Sequence, residues 1–150
     1  MSALTVLPLL ETLRDHADDP DLYDLLDTPA SGREFYLLQS TPDLELWLIA
    51  WAPGAETGYH DHGSATGAYT VLVGELTEYV VDGGLQLSTV GPGDARAAAA
   101  GYVHDVRNRS AEPALSLHAY SPRLDAMNHY EFQGDRLRLV SAEPGRLQAG

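Results

Sequence analysis

The chemistry this chain can do is concentrated in four of its six histidines and the residues beside them. His60 and His62 stand two apart in GYHDHGS, so on an extended segment both imidazoles leave the same face and can address one ion. His104, in GYVHDVRN, supplies a third imidazole, and SLHAYSP places Ser116, His118 and Tyr120 on one parity of a single segment. Imidazoles so grouped suit a divalent metal, and a hydroxyl, an imidazole and a phenol in a row can hold and move protons. The pattern predicts a mononuclear metal site inside a small β-barrel. A serine hydrolase is a poor reading of Ser116 and His118, because both come from one strand and no strained elbow surrounds the serine. With no cysteine, thiolate zinc sites, disulfides and cysteine nucleophiles are excluded, leaving histidine, carboxylate and hydroxyl groups.

The elements that must position these groups follow from pattern. A chain of 150 residues that is 44% hydrophobic can bury one sizeable core, so one domain is expected over 1–150. Its formal charge of -13, with arginine as its only strongly basic residue, argues against nucleic-acid and anionic-membrane partners, which demand basic patches. The N-terminal stretch has no basic leader, its apolar run is broken by Pro8, and no 18-residue apolar span follows, so a cytoplasmic protein is expected. Leu9, Leu10, Leu13 and Ala17 recur at helical spacing, and Asp19-Pro20 reads as the cap and first position of a second short helix through Leu26. The first 32 residues form this helical segment. From Arg33 to Val140 short period-two runs alternate with turns such as Asp82-Gly83-Gly84 and Gly91-Pro92-Gly93-Asp94, the mark of an all-β sandwich or barrel. The stretch 141–150 is expected to be a loose tail. His16, in an acidic helical stretch, and His129, in NHYEF, are read as surface or structural groups.

Two motifs give these residues a likeness. Gly58, His60, His62 and Gly74 resemble the first cupin motif, and Gly91-Pro92-Gly93-Asp94 followed by His104 and Asn108 resembles the second. The usual cupin carboxylate ligand after the second histidine is missing. HDHG after Trp51-Ala52-Pro53-Gly54, then HDVRN, then SLHAYSP is similar to the cysteine dioxygenase family of thiol dioxygenases, over roughly Phe35 to Tyr130. The resemblance implies a cupin-type small β-barrel, or jelly roll, after the two helices, with His60, His62 and His104 as ligands of Fe(II) and Ser116, His118 and Tyr120 as a catalytic relay. A small thiol and O2 are then the partners, a sulfinic acid the product, and the protein a monomer or weak homo-oligomer. Gly67 falls where some members carry a cysteine crosslinked to the tyrosine, a bond this chain cannot make.

The resemblance also implies a substrate pocket. Tyr36 and Trp51 match lining positions, and Leu38 aligns with an arginine that pairs with the cysteine carboxylate. Arg33 differs in parity from Leu38, and Arg107 from His104, so both are expected to point away from the pocket. Arg123, in the loop past Tyr120, is then the candidate anchor, and the thiol is expected not to be simple L-cysteine. A strand displaced by a residue or two would restore cysteine. Asp61 and Asp105 alternate with ligand positions and are expected behind the ligands or at the surface. The alternatives are a metal-binding cupin without redox chemistry, as a sensor or ligand-binding module, and a metal-dependent hydrolase or isomerase, with zinc and an activated water as the rival use of three histidines.

Overall fold

The computed structural model describes residues 6–124, 126–133 and 136–144. Helix α1 (Val6–Ala17) buries Leu9 and Leu13, one turn apart on one face. Asp19 then accepts from the Asp21 amide at 3.0 Å and caps a 3-10 turn, Pro20–Asp24. The second helix expected through Leu26 is therefore one tight turn, and it buries a single side chain, Leu22.

Eleven strands follow: β1 (Arg33–Thr41), β2 (Leu44–Trp51), β3 (Tyr59–Asp61), β4 (Thr66–Val73), β5 (Leu76–Val81), β6 (Leu85–Val90), β7 (Ala95–Ala98), β8 (Asp105–Arg107), β9 (Ala114–Ser121), β10 (Ala126–Gln133) and β11 (Arg136–Pro144). β11 pairs with β10 out to Pro144, so residues 141–144, expected in the tail, belong to the sheet; residues 145–150 lie outside the described residues. The strands make a five-stranded sheet, β1-β2-β9-β4-β7, and two three-stranded sheets, β11-β10-β3 and β6-β5-β8. A bridge between His60 and His104 joins the two smaller sheets edge to edge. The result is a jelly roll, as expected, although its hydrogen bonding does not close into a continuous barrel.

Two apolar layers fix the large sheet. Its outer face, with Leu46, Leu48, Leu117 and Ala119, is covered by Leu9, Leu13 and Leu22. Its inner face, with Ile49, Trp51, Tyr69, Val71 and Tyr120, packs toward Leu76, Val90 and Val106 of the opposite layer. Each fully buried leucine contributes on the order of 1.5–3 kcal/mol relative to exposure. β9 is buried at every position, on both faces, so its inward side chains Ser116, His118 and Tyr120 stand on the most enclosed strand of the fold.

Candidate metal centre

His60 and His104 are opposite one another across the seam, each amide bonded to the other's carbonyl, at 2.9 and 3.0 Å. Two residues beyond His60 on the same face, His62 completes a cluster whose ligand nitrogens lie within 4.8 Å of one another; all three histidines are buried. The His60 and His62 Nε2 atoms are 3.2 Å apart. Two nitrogens bound at right angles about one ion at ~2.1 Å would stand ~3 Å apart, so this pair is spaced for a shared metal.

The other ring nitrogens settle which atoms face the ion. Gly58, at φ +75°, turns the chain so that its carbonyl accepts from His60 Nδ1 at 2.8 Å. Glu78 of β5 accepts from His104 Nδ1 at 2.8 Å. A neutral imidazole that donates through Nδ1 offers the Nε2 lone pair. Among the described residues, His104 Nε2 is the buried side-chain polar atom with no hydrogen-bond partner, which is what a ligand atom awaiting a metal looks like.

Across the cavity, Trp51 Nε1 donates to Ser116 Oγ at 2.7 Å, and that oxygen lies 2.7 Å from His118 Nε2. An indole can only donate, so the serine hydroxyl accepts from Trp51, and its oxygen ties the indole to the His118 ring. Burial, with smaller electrostatic effects of its neighbours His62, His104 and Arg33, holds His118 well below the ordinary histidine range, so it is neutral at pH 7. The Tyr120 ring lies against His62, with centroids 4.7 Å apart. It also lies on Gly67, where a Cβ would come within 3.0 Å of two ring carbons; the bare backbone lets the phenol ring sit flat on β4. The cavity framed by His62, Tyr69, His104, His118 and Tyr120 has a volume of ≈ 10 Å³, about the room of one water.

The expected pocket residues divide. Trp51 faces inward, as above. Tyr36 and Leu38 do not: Tyr36 is exposed and paired with Leu48, and Leu38 packs on the helix-covered outer cluster. Arg123 is exposed, its amide bonded to the Pro42 carbonyl. Arg33 and Leu38 lie on opposite faces of β1, as expected, but it is Arg33 that faces inward and Leu38 that faces the outer cluster. Arg33 and Phe35 pair with Trp51 and Ile49, the inward residues of β2, and the Arg33 guanidinium lies 4.9 Å from the Phe35 ring and 5.3 Å from that of Trp51. Burial lowers its pKa from the ordinary value, against the raising effects of Tyr120 and Asp105, and its charge is felt at His118. Arg33 thus lies beside the row of Ser116, His118 and Tyr120.

Three carboxylates matter more than the sequence suggested. Glu78 sits on an inward parity of β5 with Leu76, and a charged residue on an apolar face was the signal that could have found it. Asp61 and Asp105 do point away from the cluster, yet both are buried. Asp61 accepts from the Gly63 amide (2.9 Å), Asn128 (2.9 Å) and Tyr130 (2.7 Å), tying β3 to β10. Asp105 accepts from the Gly58 amide (3.1 Å) and from both Nε and Nη2 of Arg107, at 2.8 and 2.7 Å, which holds the turn before His60. Asn108 donates to the carbonyls of Trp51, Ala52 and Glu112, clamping the strand ends below the site. His129 pairs in register with His60 on β10.

The fold has counterparts. A protein of Thermus thermophilus, TT1209, is 31% identical, with a TM-score of 0.61 over 68% of this chain and 94% of that one. A double-stranded β-helix protein of Klebsiella pneumoniae is 22% identical, with a TM-score of 0.60 over 67% of this chain and 81% of that one. A recombinant oxalate oxidase in complex with glycolate is 19% identical, with a TM-score of 0.58 over 67% of this chain and 56% of that one, a likeness of fold alone. The model of the family described as cysteine dioxygenase type I matches residues 2–133. With a three-histidine cluster able to hold a metal on a cupin fold, the chain belongs to the cysteine dioxygenase type I family and is a metal-binding cupin enzyme of the dioxygenase type.

Proposed function

We propose that the protein is a non-haem Fe(II) thiol dioxygenase acting on a small thiol that carries an acid group. The reaction is R–SH + O2 → R–SO2H: two S–O bonds form, sulfur gives up four electrons, and dioxygen takes them. His60, His62 and His104 would hold the iron as neutral ligands. Bound iron would supply open coordination positions and redox chemistry, bringing thiolate and dioxygen together at one atom, an effect of proximity that can be worth ~7 kcal/mol or more.

The observation that carries the substrate class is Arg33 stacked over Trp51 beside Tyr120. A guanidinium held in place by two aromatic faces is pre-organised to accept a carboxylate through a fork of hydrogen bonds. That makes Arg33, rather than Leu38 or Arg123, the counterpart of the family's acid-binding arginine, and it returns cysteine to the candidates together with 3-mercaptopropionate. Tyr120, against His62, would hold a proton at the phenol oxygen beside the reacting atoms. Trp51, Ser116 and neutral His118 would fix the wall behind it. A small thiol and O2 are the partners, in the cytoplasm, where free thiols stay reduced.

The test is oxygen uptake by the iron-loaded protein on L-cysteine, 3-mercaptopropionate and a carboxylate-free thiol. Uptake should depend on thiol and favour the two acids. Arg33→Gln should raise KM for the acids by about 10- to 150-fold, the loss of a charged hydrogen bond, and leave the carboxylate-free thiol unaffected. Iron-loaded protein that consumes no oxygen with any of the three would contradict the proposal.

A further inference from the structure

We propose that Glu78 is a positioning residue that sets the affinity and redox potential of the metal centre through His104. Three neutral histidines bring no negative charge to a divalent ion, and the carboxylate ligand usual in cupins is missing after His62. Glu78 holds a carboxylate one imidazole away instead, with Oε2 2.8 Å from His104 Nδ1. A ligand imidazole that donates to a carboxylate becomes more basic at its metal-facing nitrogen, and its ring is fixed in orientation.

The carboxylate is itself held. Glu78 is 5% exposed, and a charge so buried is costly unless its oxygens are satisfied. The Tyr69 hydroxyl donates to Oε2 at 3.2 Å and that of Tyr102 to Oε1 at 3.4 Å. The Tyr69 ring is in turn stacked on His118, with centroids 5.0 Å apart and planes 9° from parallel. One carboxylate therefore orients a metal ligand on the seam and, through Tyr69, the plate on which His118 rests. Asp61 and Asp105, equally buried, direct their bonds to the backbone and to bracing side chains around β3.

This inference rests on the three histidines holding a divalent metal, and its test separates the two ideas. Apo-protein is titrated anaerobically with Fe(II) and with Co(II), using wild type, Glu78→Gln, Glu78→Asp, Tyr69→Phe/Tyr102→Phe and His60→Ala. Glu78→Gln keeps the shape and an acceptor while removing the charge. It should still bind one ion per chain, with Kd raised about 10- to 100-fold and the Fe(III)/Fe(II) midpoint shifted positive, since the ferric ion loses more from a vanished negative charge. Glu78→Asp should recover part of both, and the double tyrosine variant should weaken binding in the same direction by less. In Zn-loaded wild type the His104 Nδ1 proton should exchange slowly and resonate downfield by NMR; in Glu78→Gln it should stay bonded but move upfield as its acceptor loses the charge, a shift that a purely structural role for Glu78 would not produce. A Glu78→Gln protein with unchanged Kd and potential overturns the inference while leaving the metal site standing. If Glu78→Gln does not fold, unchanged affinity in the double tyrosine variant overturns it. Unchanged affinity in His60→Ala overturns the metal reading and this inference with it.

Discussion

On the five-stranded sheet, β9 is buried at all eight positions and pairs with β2 and β4 along nearly its full length. Across the cavity, β3 and β8 span three residues each and the two smaller sheets meet through the His60–His104 bridge. The first region is held mainly by apolar packing, with one buried hydrogen-bonded row, Trp51, Ser116 and His118, on its inner face. The second is held by buried carboxylates, with Asp61 on Asn128 and Tyr130, Asp105 on Gly58 and Arg107, and Glu78 on His104. Packing gives a rigid wall with little directional information, whereas charge-assisted hydrogen bonds fix the aim of individual rings. The metal ligands sit where aim matters, and Tyr120 sits on the wall.

That contrast predicts mutations that separate aim from fold. The largest effect should come from His62→Ala, which leaves two ligands in the cluster. Iron measured after desalting should fall to a small fraction of wild type, with turnover at background and the thermal transition of the apo-protein little changed. Co-loss of the thermal transition would show that the seam, and not only the metal, depends on His62.

Tyr120→Phe comes next. It removes one hydroxyl from the wall and nothing from the ligand set, so iron content should be retained while kcat drops about 10- to 10⁴-fold, the range for a proton-handling side chain. Turnover equal to wild type would make Tyr120 a packing residue. The smallest effect on chemistry should come from Leu13→Ala, beneath the outer face of the same sheet. Loss of a fully buried leucine should cost about 2–5 kcal/mol in denaturant unfolding, with iron stoichiometry and kcat unchanged at a temperature where the variant is folded. A drop in iron would mean that the two regions are coupled through β4 and β9.

How much of this was legible in the residues follows the same division. Period-two runs announced the sheets, and the His60/His62 spacing with His104 announced the cluster, because both depend on local alternation. The inward row Ser116, His118 and Tyr120 was legible for the same reason. What alternation cannot say is which of its two faces points inward. β1 is half exposed along its length, with Glu34 and Gln39 on the outer side and Leu37 exposed on the inner, so hydrophobicity favoured neither face and Arg33 was assigned to the wrong one. Glu78 was illegible as a partner because its bond to His104 spans 26 residues and needs the pairing of β5 with β8. The second helix is one turn, Pro20–Asp24, in which Leu22 is the buried side chain, and Leu26 beyond it packs partly on the same cluster.

The central claim is that both atoms of dioxygen end on the sulfur of a small thiol acid. Single-turnover reaction of the iron-loaded protein with 3-mercaptopropionate or L-cysteine under ¹⁸O2, followed by mass spectrometry of the product, tests it most directly. The expected product is a sulfinic acid carrying two labelled oxygens; a disulfide with hydrogen peroxide, or a product whose oxygens come from water, would contradict thiol dioxygenation.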